Sequence, residues 1–209
     1  MPHKALYILL ALLLFSCNKK ETLKISVKNI VTGEPVAGNH ISIVEIFNVS
    51  DGVSGSKTKD FYSGQTNSEG VLYVTEKFNK NRRYEVFLGK FPEKHCYLNK
   101  MGYTWSVGEN TEINFEYAPC AYLKLIIENV NCGGEDDKMN FRSKSPYTEW
   151  GGWSTDRLGC YFYQSPNFFE TSMGYKIYEW KVERNGVLTF HKDSIYLAPG
   201  NEYVFELSY

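Results

Sequence analysis

The sequence lacks the short motifs that mark common catalytic and cofactor sites. It contains no HExxH zinc motif, no phosphate-binding loop and no dinucleotide-binding fingerprint. Residues Gly52-Val53-Ser54-Gly55-Ser56 miss the GxSxG pattern of a nucleophile elbow, because Ser56 replaces the final glycine. Histidine is scarce, and His40, His95 and His191 stand far apart in the chain. These absences argue against an enzyme, although a hydrolase whose catalytic residues meet only on folding remains an alternative.

The sequence also lacks an excess of charge of one sign. Without residues 1–16, the chain has 22 basic and 24 acidic residues, which excludes the basic footprint of a nucleic-acid-binding protein. No CxxC pair is present to suggest a zinc site. Glu135-Asp136-Asp137 lacks the alternating spacing of a calcium loop, so we expect a solvated acidic loop there. No metal and no cofactor is predicted.

The N-terminal apolar run is too short to cross a membrane. It extends from Ala5 to Phe15 and has 11 residues, whereas a membrane-spanning helix needs about 20. Its length and the preceding Lys4 are typical of a secretion signal. Leu13-Leu14-Phe15-Ser16-Cys17 resembles the lipobox of bacterial lipoproteins. The alternative is an ordinary cleaved signal with an incidental cysteine.

The lipobox resemblance implies cleavage after Ser16, diacylglycerol on the Cys17 thiol and an acyl chain, such as palmitate, on the new amine. Several acyl chains make a lasting anchor, so the expected location is the cell envelope, with membrane attachment through Cys17. Residues 17–22 would form a short tether. Asn18 replaces the aspartate that retains some lipoproteins in the inner membrane, which favours the outer membrane.

Composition and periodicity predict an all-β protein. Aromatic residues make up 16% of the sequence, with 16 Tyr and 13 Phe, and such residues suit pleated, half-buried surfaces. Alternating apolar residues predict strands at Leu23–Lys28, His40–Phe47, Val71–Val74, Arg83–Leu88, Glu112–Tyr117, Tyr122–Ile127, Met139–Arg142, Gly174–Glu183, Gly186–Lys192 and Glu202–Ser208. Loops are expected at Asp51–Lys59 and Tyr147–Gly159, and a hairpin turn at Asn185-Gly186.

Ala118-Pro119 is expected to break a strand and to mark a domain boundary. The predicted architecture is two tandem β-sandwich domains at residues 23–118 and 119–209.

The first predicted domain carries turn and strand motifs that resemble a known family. The motifs are Gly33-Glu34-Pro35-Val36-Ala37-Gly38, Ile41-Ser42-Ile43, Thr66-Asn67-Ser68-Glu69-Gly70 and Tyr73. Together they resemble the carboxypeptidase regulatory-like domain, a transthyretin-related sandwich of seven strands, over about residues 23–117. The resemblance implies a structural or binding module without catalytic residues. Asp193-Ser194-Ile195 resembles a short O-glycosylation motif of Bacteroidota, and the Lys, Asn and Tyr richness fits that phylum.

Four cysteines follow Cys17, an even number that predicts two disulfides in an exported protein. Three pairings of Cys96, Cys120, Cys132 and Cys160 are possible. We favour Cys96–Cys120 and Cys132–Cys160. Buried free thiols, which pack as small apolar side chains, are the alternative.

The strongest candidate for a ligand site is the aromatic segment Tyr147 to Ser154. Trp150 and Trp153 flank two glycines, and Glu149 adds a carboxylate. Flat rings pack on sugar CH faces, and aromatic residues with a polar handle also anchor protein interfaces. The alternative is that the indoles fold inward and fill the end of a sandwich.

The sequence therefore predicts a non-catalytic binding or scaffolding module of the cell envelope, with a glycan or an envelope protein as its partner. The candidate ligand-binding residues are Tyr147, Glu149, Trp150 and Trp153. An interaction subunit of an outer-membrane transport or secretion complex is the second hypothesis, and a hydrolase is the third.

Overall fold

The computed structural model describes residues 20–48, 56–89, 91 and 94–209. Every regular element in these ranges is a β-strand, which confirms the all-β prediction. None of the described residues forms a helix long and apolar enough to cross a membrane. Residues 1–16 and the predicted lipidation site, Cys17, lie outside the described residues.

The strands are numbered in chain order. They are β1 (Glu21–Asn29), β2 (His40–Asn48), β3 (Ser56–Gln65), β4 (Val71–Glu76), β5 (Arg83–Leu88), β6 (His95–Leu98), β7 (Gly102–Ser106), β8 (Glu112–Glu128), β9 (Lys138–Lys144), β10 (Arg157–Leu158), β11 (Phe162–Gln164), β12 (Phe169–Ser172), β13 (Gly174–Arg184), β14 (Val187–Leu197) and β15 (Glu202–Ser208).

The chain forms two compact units. Unit 1 comprises the described residues of Met1–Lys28, Pro35–Pro92 and Lys100–Phe115. Unit 2 comprises Asn29–Glu34, those described of Glu93–Asn99, and Glu116–Tyr209.

Unit 1 is built from a sheet in the order β3-β2-β5-β7 and from the paired strands β1 and β4. Strand β1 shows why the sequence forms this structure, since Leu23, Ile25 and Val27 are buried while the residues between them are only partly covered. Ile41 and Ile43 on β2 are also buried. Burial of each such side chain contributes about 1.5–3 kcal/mol.

The turn before β4 shows how one glycine sets the local backbone. Gly70 has a φ of +68°, and a Cβ there would lie 2.6 Å from the carbonyl oxygen of Val27. The side-chain oxygen of Asn67 accepts hydrogen bonds from the backbone N–H groups of Glu69 and Val71. Glycine avoids both the steric clash and the cost of a left-handed backbone.

Unit 2 is a sandwich of two sheets. In one sheet β8 pairs antiparallel with β6, β11 and β12, and parallel with β15. The other has the order β10-β9-β13-β14. The core lies between them, and its buried side chains are Ala121, Leu123, Leu125, Ile127, Met139, Tyr178, Trp180, Val182, Leu197, Phe205, Leu207 and Tyr209.

The hairpin between β13 and β14 confirms a local prediction. Asn185 and Gly186 both have positive φ values, 50° and 75°. This is the geometry of a two-residue turn that matches the twist of the flanking strands. The register continues without a shift from Arg184↔Val187 to Gly174↔Leu197.

Both disulfides of unit 2 have the pairing favoured from the sequence. Cys96–Cys120 joins β6 to β8 across 24 residues. Cys132–Cys160 spans 28 residues.

The predicted strand break at Ala118-Pro119 is wrong. Strand β8 continues through both residues to Glu128. A register shift between His95 and Tyr97 of β6 lies opposite this point. Such a bulge accommodates a residue that lacks the N–H of a regular ladder, and proline within sheets is found at positions of this kind.

Other boundaries also differ from the predictions. Ser56–Lys59 belong to β3 instead of the predicted loop, since they pair with Glu45–Asn48 of β2. Strand β14 continues beyond Lys192 to Leu197 because every residue of it pairs with β13. In both cases pairing with the preceding strand of the same sheet extends the strand beyond the limit that local composition predicts.

Candidate functional site

The two faces of the sheet β10-β9-β13-β14 carry different side chains. Residues alternate along a strand, so one face of β13 places Tyr178 and Trp180 in the core while the other carries Glu179 and Lys181, which are half-buried. Strand β9 follows the same rule and places Met139 in the core. The outward face is therefore polar. Together with the two indoles described below it forms what we call the indole face, which consists of Arg142, Lys144, Trp150, Trp153, Glu179, Lys181, Phe190 and Lys192.

Glu179 is at the centre of the indole face. The register places it opposite Arg142 on β9 and opposite Lys192 on β14. Arg142 donates two hydrogen bonds to Oε2 of Glu179, from Nε at 3.0 Å and from Nη2 at 2.7 Å. The Lys192 ammonium is 3.3 Å from Oε1. The hydrogen bonds from Arg142, and then that from Lys192, lower the pKa of Glu179, so it stays ionised.

The loop between β9 and β10 places two indoles on this face. Gly151 N–H donates to the carbonyl of Ser143 at 3.0 Å, and Ser154 N–H donates to the carbonyl of Phe141 at 2.8 Å. The Ser154 hydroxyl accepts a hydrogen bond from Phe141 N–H at 3.1 Å. These bonds fix the loop along the edge of β9, so Trp150 and Trp153 do not depend on a freely moving segment.

Arg142 joins the two indoles. Its guanidinium carbon is 4.5 Å from the ring centroid of Trp150 and 4.6 Å from that of Trp153. A guanidinium at this distance is attracted by the electron-rich face of an indole. Arg142 therefore connects the acidic centre of the sheet to both rings.

Lysines of the same sheet contact the same rings. The ammonium groups of Lys144 and Lys192 are 4.9 and 5.8 Å from the Trp150 centroid, and that of Lys181 is 5.0 Å from the Trp153 centroid. Since these cations project from one face of one sheet, each indole lies with one side against that face. Trp153 keeps 39% of its surface exposed, and Trp150 is half-buried.

An open cleft adjoins the rings. Its volume is about 280 Å³. It lies on the exposed side of β14, where Phe190 is 69% exposed. The lining residues are Arg142, Trp153, Glu179, Phe190, His191 and Lys192. The cleft thus offers flat apolar surface beside fixed hydrogen-bond donors and an acceptor.

The structure separates the four predicted ligand-binding residues. Trp150 and Trp153 both contact Arg142 and are brought together. Tyr147 instead donates a hydrogen bond to the carbonyl of Met173 at 2.7 Å, and its ring packs 4.7 Å from that of Tyr97. Burial raises the pKa of Tyr147. Tyr147 thus fixes the start of the loop, while Glu149 is exposed on it.

Asp137 differs from the solvated acidic residue expected from the sequence. It is 3% exposed and accepts hydrogen bonds from Gly133 N–H at 2.8 Å, Asn129 Nδ2 at 3.0 Å and Arg184 Nε at 3.2 Å. The Gly133 hydrogen bond, followed by that of Asn129, lowers its pKa. Asp137 is therefore a structural residue of unit 2.

Two histidines considered for catalysis have structural contacts. The His40 ring shares a hydrogen bond of 2.8 Å with the Ser63 hydroxyl, and His191 stacks on Trp180 with centroids 5.4 Å apart. His95 lies on β6, which pairs with neither β2 nor β14.

The cations and Glu179 of the indole face were not predicted from the sequence. A partial signal exists, because charged residues alternate with apolar ones along β9 and β13. That pattern identifies an exposed face but does not show which residues lie opposite one another.

Comparisons with known proteins place the chain in no family. No family model and no curated protein matches it, so the carboxypeptidase regulatory-like and lipoprotein resemblances stay predictions. Solved structures with some similarity include the Bacillus anthracis TIE protein, with a TM-score of 0.37 and 14% identity over 92% of this chain. This chain covers 34% of that protein.

Two pilins give comparable values. The minor pilin GBS52 of Streptococcus agalactiae has a TM-score of 0.35 and 10% identity, covering 90% of this chain and 94% of its own. The shaft pilin SpaA from Lactobacillus rhamnosus GG has a TM-score of 0.34 and 7% identity, covering 91% of this chain and 98% of its own. Because all three TM-scores are low, no function is transferred from these proteins.

Proposed function

We propose that this protein is a non-catalytic binding module of the cell envelope and that it binds glycans through the indole face. The observation that carries the proposal is the pair Trp150 and Trp153, held beside each other over Arg142 at the edge of an open cleft. Attachment to a membrane through lipid on Cys17 is part of the same proposal.

The chemistry of the face suits a sugar. The uncovered sides of the rings offer apolar contact to the CH groups of a pyranose. Glu179 offers a hydrogen-bond acceptor and Lys192 a donor within the same cleft. Ring contact combined with directional polar groups is what distinguishes a sugar from a purely apolar ligand.

The geometry is also organised before any ligand arrives. The loop is hydrogen-bonded to β9, and Arg142 is held by Glu179. Preorganisation reduces the entropy that binding must offset, which is about 0.5–1.5 kcal/mol for each immobilised side chain.

Comparison with the other tryptophans argues against a purely structural role. Trp105 and Trp180 are 3% and 8% exposed, whereas Trp153 is 39% exposed. Trp153 is thus far more exposed than the two tryptophans that are buried in the cores. An exposed large aromatic side chain beside a cleft is the kind of residue that dominates binding surfaces.

Substitution of both tryptophans of the indole face tests the proposal. The full chain, the variant Trp150→Ala with Trp153→Ala, and the control Tyr73→Ala are compared on a glycan array. Tyr73 is an aromatic residue on β4 that is 57% exposed, so its loss removes a similar surface elsewhere. We expect the control to bind like the unmodified chain and the double variant to lose binding. Unchanged binding by the double variant, or no bound glycan at all, would refute the proposal.

The exposed edge of β14 favours a second candidate, an interaction subunit of an outer-membrane transport or secretion complex. Val187, Leu188 and Phe190 are 63%, 51% and 69% exposed on a strand that pairs only with β13 among the described residues. An edge of this kind offers unpaired backbone groups to another chain. Co-purification from native membranes tests this candidate, and recovery of the protein alone would count against it.

A further inference from the structure

The indole face carries more positive charge than its own carboxylate balances. Arg142, Lys144, Lys181 and Lys192 are four cations around Glu179, a formal charge of +3. Counting Glu149 and Asp156, the two exposed acidic residues of the adjoining loop, leaves +1. The whole chain has a formal net charge of −1, so this excess belongs to one surface and not to the general composition.

Glu179 is already shared by two of these cations. Its Oε2 accepts both hydrogen bonds from Arg142, and its Oε1 pairs with Lys192. No described carboxylate lies within ion-pair distance of Lys144 or Lys181.

The contacts that Lys144 and Lys181 do make are with the indoles. An indole attracts a cation but does not neutralise its charge. By contrast, Lys138, which is on the same face of β9, lies 3.7 Å from Glu183. The sheet thus balances the charge at one end of this face and leaves it unbalanced beside the two tryptophans.

We propose that the ligand of the indole face is an acidic glycan, whose carboxylate or sulfate groups pair with Lys144 and Lys181 while its sugar rings rest on Trp150 and Trp153. This inference depends on the proposed glycan-binding function and specifies its ligand class. Exposed aromatic rings beside unpaired cations match a ligand that presents both apolar ring faces and negative charge.

The positions of the two lysines indicate the size of the ligand. Lys144 lies opposite Ile177 of β13, and Lys181 is four residues further along that strand. With a rise of about 3.3 Å per residue, the two Cα positions are about 13 Å apart along the strand direction. Arg142 and Glu179 lie between them. Because two lysines this far apart along the sheet can each pair with a separate acidic group, we expect an oligosaccharide with several acidic groups to bind more tightly than a single uronic acid.

Matched probes and matched variants test the charge separately from the rings. The full chain carries Cys17→Ala so that no lipid anchor competes. The probes are polygalacturonate oligosaccharides, the same oligosaccharides with their carboxylates methyl-esterified, chondroitin sulfate, and vesicles of phosphatidylglycerol with phosphatidylcholine. The variants are Lys144→Ala with Lys181→Ala, the charge-preserving Lys144→Arg with Lys181→Arg, and the paired-lysine control Lys138→Ala. Affinities are measured by calorimetry at low and high salt.

We expect an acidic oligosaccharide to bind the unmodified chain and the arginine variant. The alanine pair should weaken binding roughly 2- to 30-fold, the range for two exposed charge pairs. Lys138→Ala should leave the affinity unchanged, and raised salt should weaken binding because exposed charges are screened.

The inference and the proposed function fail in distinguishable ways. If the methyl ester binds as tightly as the acid, or if the alanine pair behaves like Lys138→Ala, the acidic ligand is refuted while glycan binding stands. If no glycan binds, or if Trp150→Ala with Trp153→Ala leaves glycan binding unchanged, the proposed function is refuted and the inference with it. Lysine-dependent binding to the anionic vesicles without glycan binding would show that the face recognises a membrane surface, which also overturns the inference.

Discussion

Arg142→Ala is the substitution that most directly probes how the indole face is held together. The guanidinium contacts two indoles at 4.5 and 4.6 Å and donates two hydrogen bonds to Glu179. Each contact with an indole is worth about 0.5–1 kcal/mol at an exposed site, and the partly exposed ion pair contributes about 0.2–1 kcal/mol. We therefore expect Arg142→Ala to lower the free energy of unfolding by about 1–3 kcal/mol.

Two observables measure this effect. Denaturant unfolding gives the change in free energy, and the tryptophan emission spectrum reports the environment of the indoles. Loss of Arg142 should shift the emission to longer wavelength, because Trp150 and Trp153 lose a neighbour and gain contact with water. Arg142→Lys should be intermediate, since an ammonium lacks the planar fork that contacts two rings and Glu179 together.

Lys138→Ala provides the matched control. Lys138 lies on the same face of the same strand, and its ion pair with Glu183 is 3.7 Å long, with both side chains 44% exposed. Such a pair contributes at most about 1 kcal/mol. If Arg142→Ala is no more destabilising than Lys138→Ala and leaves the emission unchanged, Arg142 does not organise the indole face.

Two further predictions concern unit 2. The pKa values of Asp137 and Glu179 are lowered in the folded protein. The ionised carboxylates therefore stabilise the fold fully above the unfolded carboxyl pKa of about 4. This contribution to stability is lost as pH falls through the folded-state pKa values. Thermal unfolding between pH 7 and pH 2 should show this loss of stability. In Asp137→Asn the loss between pH 7 and pH 2 should be smaller, because one of the two carboxylates is absent. A variant with the same pH dependence as the unmodified chain would contradict this assignment. Removal of the Cys132–Cys160 disulfide by Cys132→Ser with Cys160→Ser should lower stability by about 3.5 kcal/mol, the value of the chain-entropy model for its 28-residue separation. Denaturant unfolding measures it, and an unchanged midpoint would be the contrary result.

Local patterns in the sequence were sufficient to predict much of the fold. Strands β5 and β15 have the limits that alternation predicts, Arg83–Leu88 and Glu202–Ser208. The Asn185-Gly186 turn was predicted because the positive φ values of a two-residue hairpin require such residues. These features depend on a few adjacent residues, so no knowledge of distant segments was needed.

Features that depend on a partner strand are not predicted by the local pattern. Pro119 reads locally as a strand break, but the bulge opposite it in β6 allows β8 to continue. Ser56–Lys59 are polar and read as a loop, yet β2 pairs with all of them. In both cases a partner strand, which the local pattern does not contain, decides the structure.

The candidate site also combines residues that the sequence predicts with residues that only strand pairing brings together. Trp150 and Trp153 were predicted because they stand together in the sequence, three residues apart. Arg142, Glu179 and Lys192 come from three strands, and only the register of β9, β13 and β14 makes them neighbours. Tyr147 belongs to the same aromatic segment but its hydroxyl is bonded to Met173, since adjacent loop residues point in different directions.

The most direct test of glycan binding by the indole face is a titration followed by the indole N–H signals in an NMR spectrum. The chain has four tryptophans, and the variants Trp150→Phe and Trp153→Phe assign the two relevant signals. The protein is titrated with a glycan that it bound in the array experiment. We predict that the Trp150 and Trp153 signals shift, while those of the buried Trp105 and Trp180 stay in place. Saturating glycan that leaves the Trp150 and Trp153 signals unmoved would contradict the account.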